Sequence, residues 1–277
     1  MTLQTSFPLS ISQINQEFGV AQNAAFDMSS TKARWLAEDA DGDISLSSFL
    51  GKRSVKLVQI TGRSEFGTQH DFSVDLGLDF PGRVIIVGFC LCNKGTSELV
   101  PFTIADANVN GANITTDVYL SHNTISYQES NSPSLMVAAG IGACTPAGTS
   151  GTLTFTTSLP CHAKAFILSA SHLGIEASAV TGQSRTGAPA TTMSDNLTTV
   201  PNGVLISIAA ASASLNDLSL HGVDTQWRTF ESNIDGNDYT WVMGVRNRMS
   251  AGSVTVGATS SKQRPGAYMS SMRSQSG

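Results

Sequence analysis

Four carboxylates, Asp224, Glu231, Asp235 and Asp238, fall close in sequence to three aromatic residues, Trp227, Tyr239 and Trp241. An aromatic face stacks on the apolar face of a sugar ring while carboxylates and amides take the hydroxyls. Glycoside cleavage would further require two carboxylates at a fixed separation. The same residues also fit a hairpin. Asp235-Gly236-Asn237-Asp238 is a strong turn signal, and Trp227 and Trp241 would then alternate into a core, where tryptophan is usually buried. The hairpin is the preferred reading, and glycan contact through Trp227, Tyr239 and Trp241 is its alternative.

Other chemistry-bearing residues do not assemble into a motif. Asp39-Ala40-Asp41-Gly42-Asp43 resembles the start of a calcium loop, but an EF-hand needs Gly at its sixth position and Glu at its twelfth. Counted from Asp39, those positions hold Ile44 and Leu50, so a Gly-centred acidic turn is expected instead. His70, His122, His162, His172 and His221 form no pair at two- or four-residue spacing. Cys90, Cys92, Cys144 and Cys161 lack the doubled spacing of a zinc site and read as buried structural thiols. A Gly-x-Ser-x-Gly elbow is missing as well. The expectation is a protein that is not an enzyme and needs no cofactor or metal.

Composition narrows the partners. Charged residues make up 13% of the 277, and the net charge of −5 comes without any Lys/Arg cluster that could neutralise phosphates. Nucleic-acid binding is therefore not expected. The most apolar run, Val84 to Cys92, is too short to span a bilayer. The start of the chain has no basic segment followed by an apolar one, so synthesis in a cytoplasm, without membrane insertion, is expected.

The elements that would position these residues are mostly strands. Val55–Ile60 and the alternation of Phe72, Val74, Leu76 and Leu78 open the series. Arg83–Asn93 is apolar throughout, as a strand buried on both faces would be. Further candidates are 100–105, 113–120, 135–139, 151–157, 163–171, 203–211, 217–221, 228–233, 239–246 and 253–260. Residues 180–192 read as a long loop, and 266–272 as a last edge strand. Ten or more short strands separated by Gly, Pro, Asn and Asp turns predict an all-β fold, an antiparallel β-sandwich of jelly-roll type. It occupies residues 53–277, with a split into two small β-domains near 180–192 as the weaker alternative.

Residues 1–52 have a different texture. Leu9-Ser10-Ile11-Ser12-Gln13-Ile14 closes at Phe18-Gly19, and Ile44-Ser45-Leu46-Ser47-Ser48-Phe49 closes at Leu50-Gly51-Lys52. Each phrase sets a hydroxyl before a short apolar-periodic stretch and a glycine after it, the punctuation of a small capped helix. A third helix is predicted over Lys32–Glu38. Three such helices are too few to bury a core alone, so the segment is expected to dock on something else.

These phrases resemble the N-terminal segment of many tailed-phage virion proteins, with Ser48 and Leu50 standing where that segment usually has an acidic residue and a tyrosine. The body is similar to a phage-type β-sandwich at Phe80–Gly88, Pro146–Phe155, Val200–Ile206 and Trp227–Ala258. The resemblance implies a virion component that assembles with other virion proteins and with copies of itself. The tail, fibre or neck is the expected place, with a head-decoration protein or a receptor-binding module for host surface glycan as alternatives. Docking is expected through Ile11, Ile14, Phe18, Ile44, Leu46, Phe49 and Leu50.

Overall fold

The computed structural model describes residues 10–18, 21–37, 55–94, 103–115, 125–127, 135–171, 173–184, 191–211, 217–234, 237–260 and 265–274. Two short helices come first, α1 (Ile11–Glu17) and α2 (Thr31–Ala37). The strands of the first half are β1 (Val55–Ile60), β2 (Gly67–Asp75), β3 (Arg83–Lys94), β4 (Ile104–Val109), β5 (Ala112–Asn113), β6 (Ile125–Tyr127), β7 (Leu135–Cys144) and β8 (Ser150–Ser171). Those of the second half are β9 (Ala179–Ser184), β10 (Thr192–Thr199), β11 (Gly203–Ala211), β12 (Leu218–His221), β13 (Thr225–Ile234), β14 (Asn237–Met249), β15 (Gly252–Ser260) and β16 (Pro265–Arg273). The fold is all-β, antiparallel and sandwich-like, as its alternation predicts.

Strand β8 belongs to two layers. Its first part, Ser150–Thr157, pairs with β2 and β4, and its second part, from His162 onwards, pairs with β3 and β1. The transition contains Pro160, which has no N–H to give a ladder. A register shift in the β2–β8 ladder marks the same place. Residues 151–157 and 163–171 are therefore one bent strand, not two.

The strands form four stacked layers. An outer sheet of β2, the first part of β8, β4 and β5 covers an inner sheet of order β1-β8-β3-β7-β6. A second inner sheet, β9-β16-β11-β14-β13, packs on the first, and a second outer sheet, β10-β15-β12, covers that. Packed sheets lie about 10 Å apart, so both inner sheets lose water on two faces. This explains the unbroken apolar run of β3. Val84, Ile86, Cys90 and Cys92 face the second half, while Ile85, Val87, Phe89 and Leu91 face the first outer sheet. In β11, Val204, Ile206, Ile208 and Ala210 face the first half, and Leu205, Ala209 and Ala211 face the second outer sheet. The outer strands alternate instead, with Phe72 and Val74 inward and Asp71 and Ser73 outward in β2.

Two expectations differ from the structure. The stretch 180–192 is not simply a loop, because β9 takes its first residues. Its Thr, Gly and Ser positions conceal the alternation. The last strand, β16, is not an edge but lies between β11 and β9. Its serines do not keep it at the surface, since Ser270 meets Ser207 of β11 at 2.7 Å in a buried hydroxyl pair.

One buried cation fixes the corner between β2 and β3. The Arg83 guanidinium donates to the carbonyls of Leu76, Gly77 and Leu78 and, through its other amino group, to those of Pro146 and Gly148 at 2.7 Å each. The β2–β3 turn is thereby tied to the β7–β8 turn.

Candidate functional site

The described part of the N-terminal segment is a small module with its own caps. Ser10 Oγ accepts from Gln13 N–H at 3.2 Å, while Gln13 Oε1 accepts from Ser10 N–H at 2.8 Å. This reciprocal pair is a capping box. Ser30 Oγ accepts from Ala33 N–H at 3.2 Å and starts α2 in the same way. Asn15 Nδ2 donates to the carbonyls of Gln22 and Ala24, which folds the connecting loop under α1.

The module has a miniature core. Ile14, Phe18, Ala33, Trp35, Leu36 and Ala37 are buried together, with Phe26 partly so. Phe80 and Leu78, from the β2–β3 corner, complete that cluster, and the Trp35 and Phe80 rings lie 5.0 Å apart. Lys56 of β1 closes the other side. Its Nζ donates to the carbonyls of Trp35 (2.5 Å) and Leu36 (3.0 Å) and sits 4.6 Å from the Trp35 ring centroid. A cation at a helix C-terminus satisfies orphan carbonyls and the helix dipole together. Lys32, placed over Phe18 and donating to its carbonyl, has its pKa pushed down to about 8 by burial.

This geometry corrects the expected docking set. Ile14 and Phe18 cannot serve a partner, because α2, Phe80 and Leu78 already cover them. Ile11 is 46% exposed and remains available, and Met28 of the same module, which sequence reading did not single out, is 39% exposed. Ile44, Leu46, Phe49 and Leu50 lie outside the described residues.

The aromatic trio is corrected too. Tyr239 and Trp241 are buried between the two inner sheets, their rings 6.1 Å apart, and Trp241 Nε1 donates to Ala138 O across the interface. No sugar reaches them there. Trp227 is half-buried against the same core. Strands β13 and β14 form the expected hairpin, Ile234 pairing with Asn237, while Asp235 and Gly236 lie outside the described residues. Its carboxylates are engaged separately. Glu231 accepts from Lys164 at 2.7 Å and lies 3.5 Å from Arg63, and Asp224 lies 3.8 Å from Arg246.

A second polar cluster was not legible in the sequence. His70 Nδ1 lies 2.9 Å from Ser64 Oγ, and His70 Nε2 lies 3.3 Å from Thr157 Oγ1 and 3.5 Å from Cys161 Sγ. Thiol, imidazole and hydroxyl in this order resemble a nucleophile with its base and orienting group. The environment argues for structure instead. Both Cys161 and His70 are buried at the bend of β8, and burial raises the thiol to about 12, far from the thiolate that attack needs. All four cysteines are buried and unbridged. Outside this cluster, Phe66 stands 54% exposed, its ring centroid 5.3 Å from that of His162 in an edge-on arrangement.

Among the described residues no group of three or more His, Cys, Asp or Glu side chains could hold a metal ion, and no helix is long and apolar enough to cross a membrane. Compared with protein-family models, with curated proteins and with solved structures, the chain matches none.

Proposed function

We propose that this chain is a structural, non-enzymatic component of a tailed phage or a phage-like particle, held in place by its N-terminal segment and displaying its β-body. The observation that carries this reading is the doubled Ser-led phrase, Leu9–Gly19 and Ile44–Lys52, and its resemblance to the attachment segment of virion proteins. The module's construction supports it. A separately capped pair of helices sits on one corner of a self-sufficient body and leaves Ile11 and Met28 uncovered. The tail, fibre or neck is the proposed place and the head surface its alternative, with other virion proteins and further copies of the chain as partners. Particles produced with a chain beginning at residue 53 should lack it, and the truncated chain should still unfold cooperatively in solution. Incorporation of the truncated chain would refute the attachment role.

A second reading, contact with host surface glycan, now rests on Phe66. It is the most exposed large apolar side chain among the described residues, and its neighbour in the loop, Arg63, pairs with Glu231. A half-exposed ring with an ion pair nearby in the same loop suits sugar stacking. A glycan array probed with the chain and with F66A tests it. Binding lost in F66A supports this reading, and no binding by either protein removes it.

A further inference from the structure

We infer that the β-body is one sandwich unit duplicated in tandem, and that its two copies dock through the same face, so that the chain is a covalently joined pair. This is independent of the place proposed for it in a particle.

The strand orders coincide. The first inner sheet, β1-β8-β3-β7-β6, becomes the second, β9-β16-β11-β14-β13, on exchanging β1 for β9, the second part of β8 for β16, β3 for β11, β7 for β14 and β6 for β13. Exchanging β2 for β10, the first part of β8 for β15 and β4 for β12 likewise turns the outer order β2-β8-β4 into β10-β15-β12, the two-residue β5 having no counterpart. Every exchanged strand keeps its place along the chain. The bend of β8 after Pro160 corresponds to the break between β15 and β16, and β16 begins at Pro265.

The turns agree, and so does the register on both sides of the central strand from Ile85 to Cys90 against Leu205 to Ala210; β11 alone shifts register beyond each end of that span. Ile86 is flanked across its ladders by Ala143 and Leu168, and Ile206 by Val245 and Ser271. Phe80-Pro81-Gly82-Arg83 and Val200-Pro201-Asn202-Gly203 enter these strands through the same turn. Arg83 N–H donates to Phe80 O at 3.1 Å, and Gly203 N–H to Val200 O at 3.0 Å. Proline at the second position is followed by a positive φ in both, 77° at Gly82 and 58° at Asn202. Asparagine is among the few residues that tolerate this region. Gly151-Thr152-Leu153-Thr154-Phe155 likewise answers to Gly252-Ser253-Val254-Thr255-Val256.

This equivalence identifies the docking face. Val84 and Val204, Ile86 and Ile206, Cys90 and Ala210, Ile141 and Met243, and Ala143 and Val245 are matched pairs, and all ten residues lie in the one core between the inner sheets. The same patch on both partners is an isologous interface, and near its axis a residue meets its own equivalent. Gly88 does so. A Cβ there would lie 3.1 Å from Ile208, its counterpart, and 2.6 Å from Met243 Sδ. The partner that this face fits is therefore a second copy of the unit.

The full chain with a protease site inserted between Glu176 and Ala177, both in the connection of the two halves, tests this. After cleavage the protein should elute where it did before, as a species slightly larger than the 29.0 kDa natural chain. Halves separated in urea should restore that species on equimolar mixing, and each half alone should form a self-pair. Halves that part on cleavage overturn the docking claim, and halves that remain single when alone overturn the duplication of the face. Should the insertion prevent folding, hydrogen exchange on the unaltered chain decides. Amides of 84–89 and 204–209 should exchange together and last, and independent opening of the second half would overturn the proposal.

Discussion

Trp241 is the largest fully buried side chain among the described residues; it lies in the core between the inner sheets and donates its N–H to Ala138 O. Replacing it with alanine removes that burial and leaves a cavity, at a cost of about 3–5 kcal/mol. Urea unfolding of W241A should show a loss in that range, and a loss under about 1 kcal/mol would mean the interface re-forms without it. His70 makes stability depend on acid. Burial lowers its pKa below the ordinary 6.5, with Asp71 opposing and His162 adding to the shift. A histidine neutral in the fold binds its proton first in the unfolded chain, so its contribution is intact above pH 6.5 and is lost as pH falls below it. Unfolding followed from pH 7.5 to 5 should therefore weaken more steeply in the natural chain than in H70Q. The buried role of Trp241 was legible from its alternation beside an Asp-Gly turn. The burial of Ile14 and Phe18 was not, since their cover, Leu78 and Phe80, lies some sixty residues away and no local pattern announces that contact.

At the scale of elements, the N-terminal module and the two-sided strands show how local chemistry becomes position. The Ser10 cap followed from a hydroxyl set before an apolar-periodic stretch, while the reciprocal bond to the Gln13 side chain came only with the structure. The closing of α2 by Lys56 did not follow from the sequence, because that lysine sits in a strand. S10A should loosen α1 by about 1 kcal/mol, read as faster exchange of the Gln13 and Ile14 amides with the strands unaffected. K56M should instead loosen α2, raising exchange over 31–37. If K56M left those amides as slow as before, the carbonyl contacts would contribute nothing. The β3 run was readable as doubly buried from its unbroken apolar sequence. The continuity of β8 was not, since Pro160 reads as punctuation when no neighbouring strand is in view.

The whole molecule separates into an N-terminal module that touches one corner and a body whose three cores are complete without it. Fold class was open to the sequence because strand alternation and turn residues are local signals. The four-layer stacking was hidden, since only pairing between distant strands defines it. Attachment through the first fifty residues is the central claim, and incorporation measures it directly. Particles assembled with the natural chain, with I11D and with the chain starting at residue 53 would be purified, and the bound copies of each counted. The natural chain should be present, I11D reduced and the truncated chain absent, while all three unfold cooperatively in solution. A truncated chain found in the particle at the natural copy number would contradict the account.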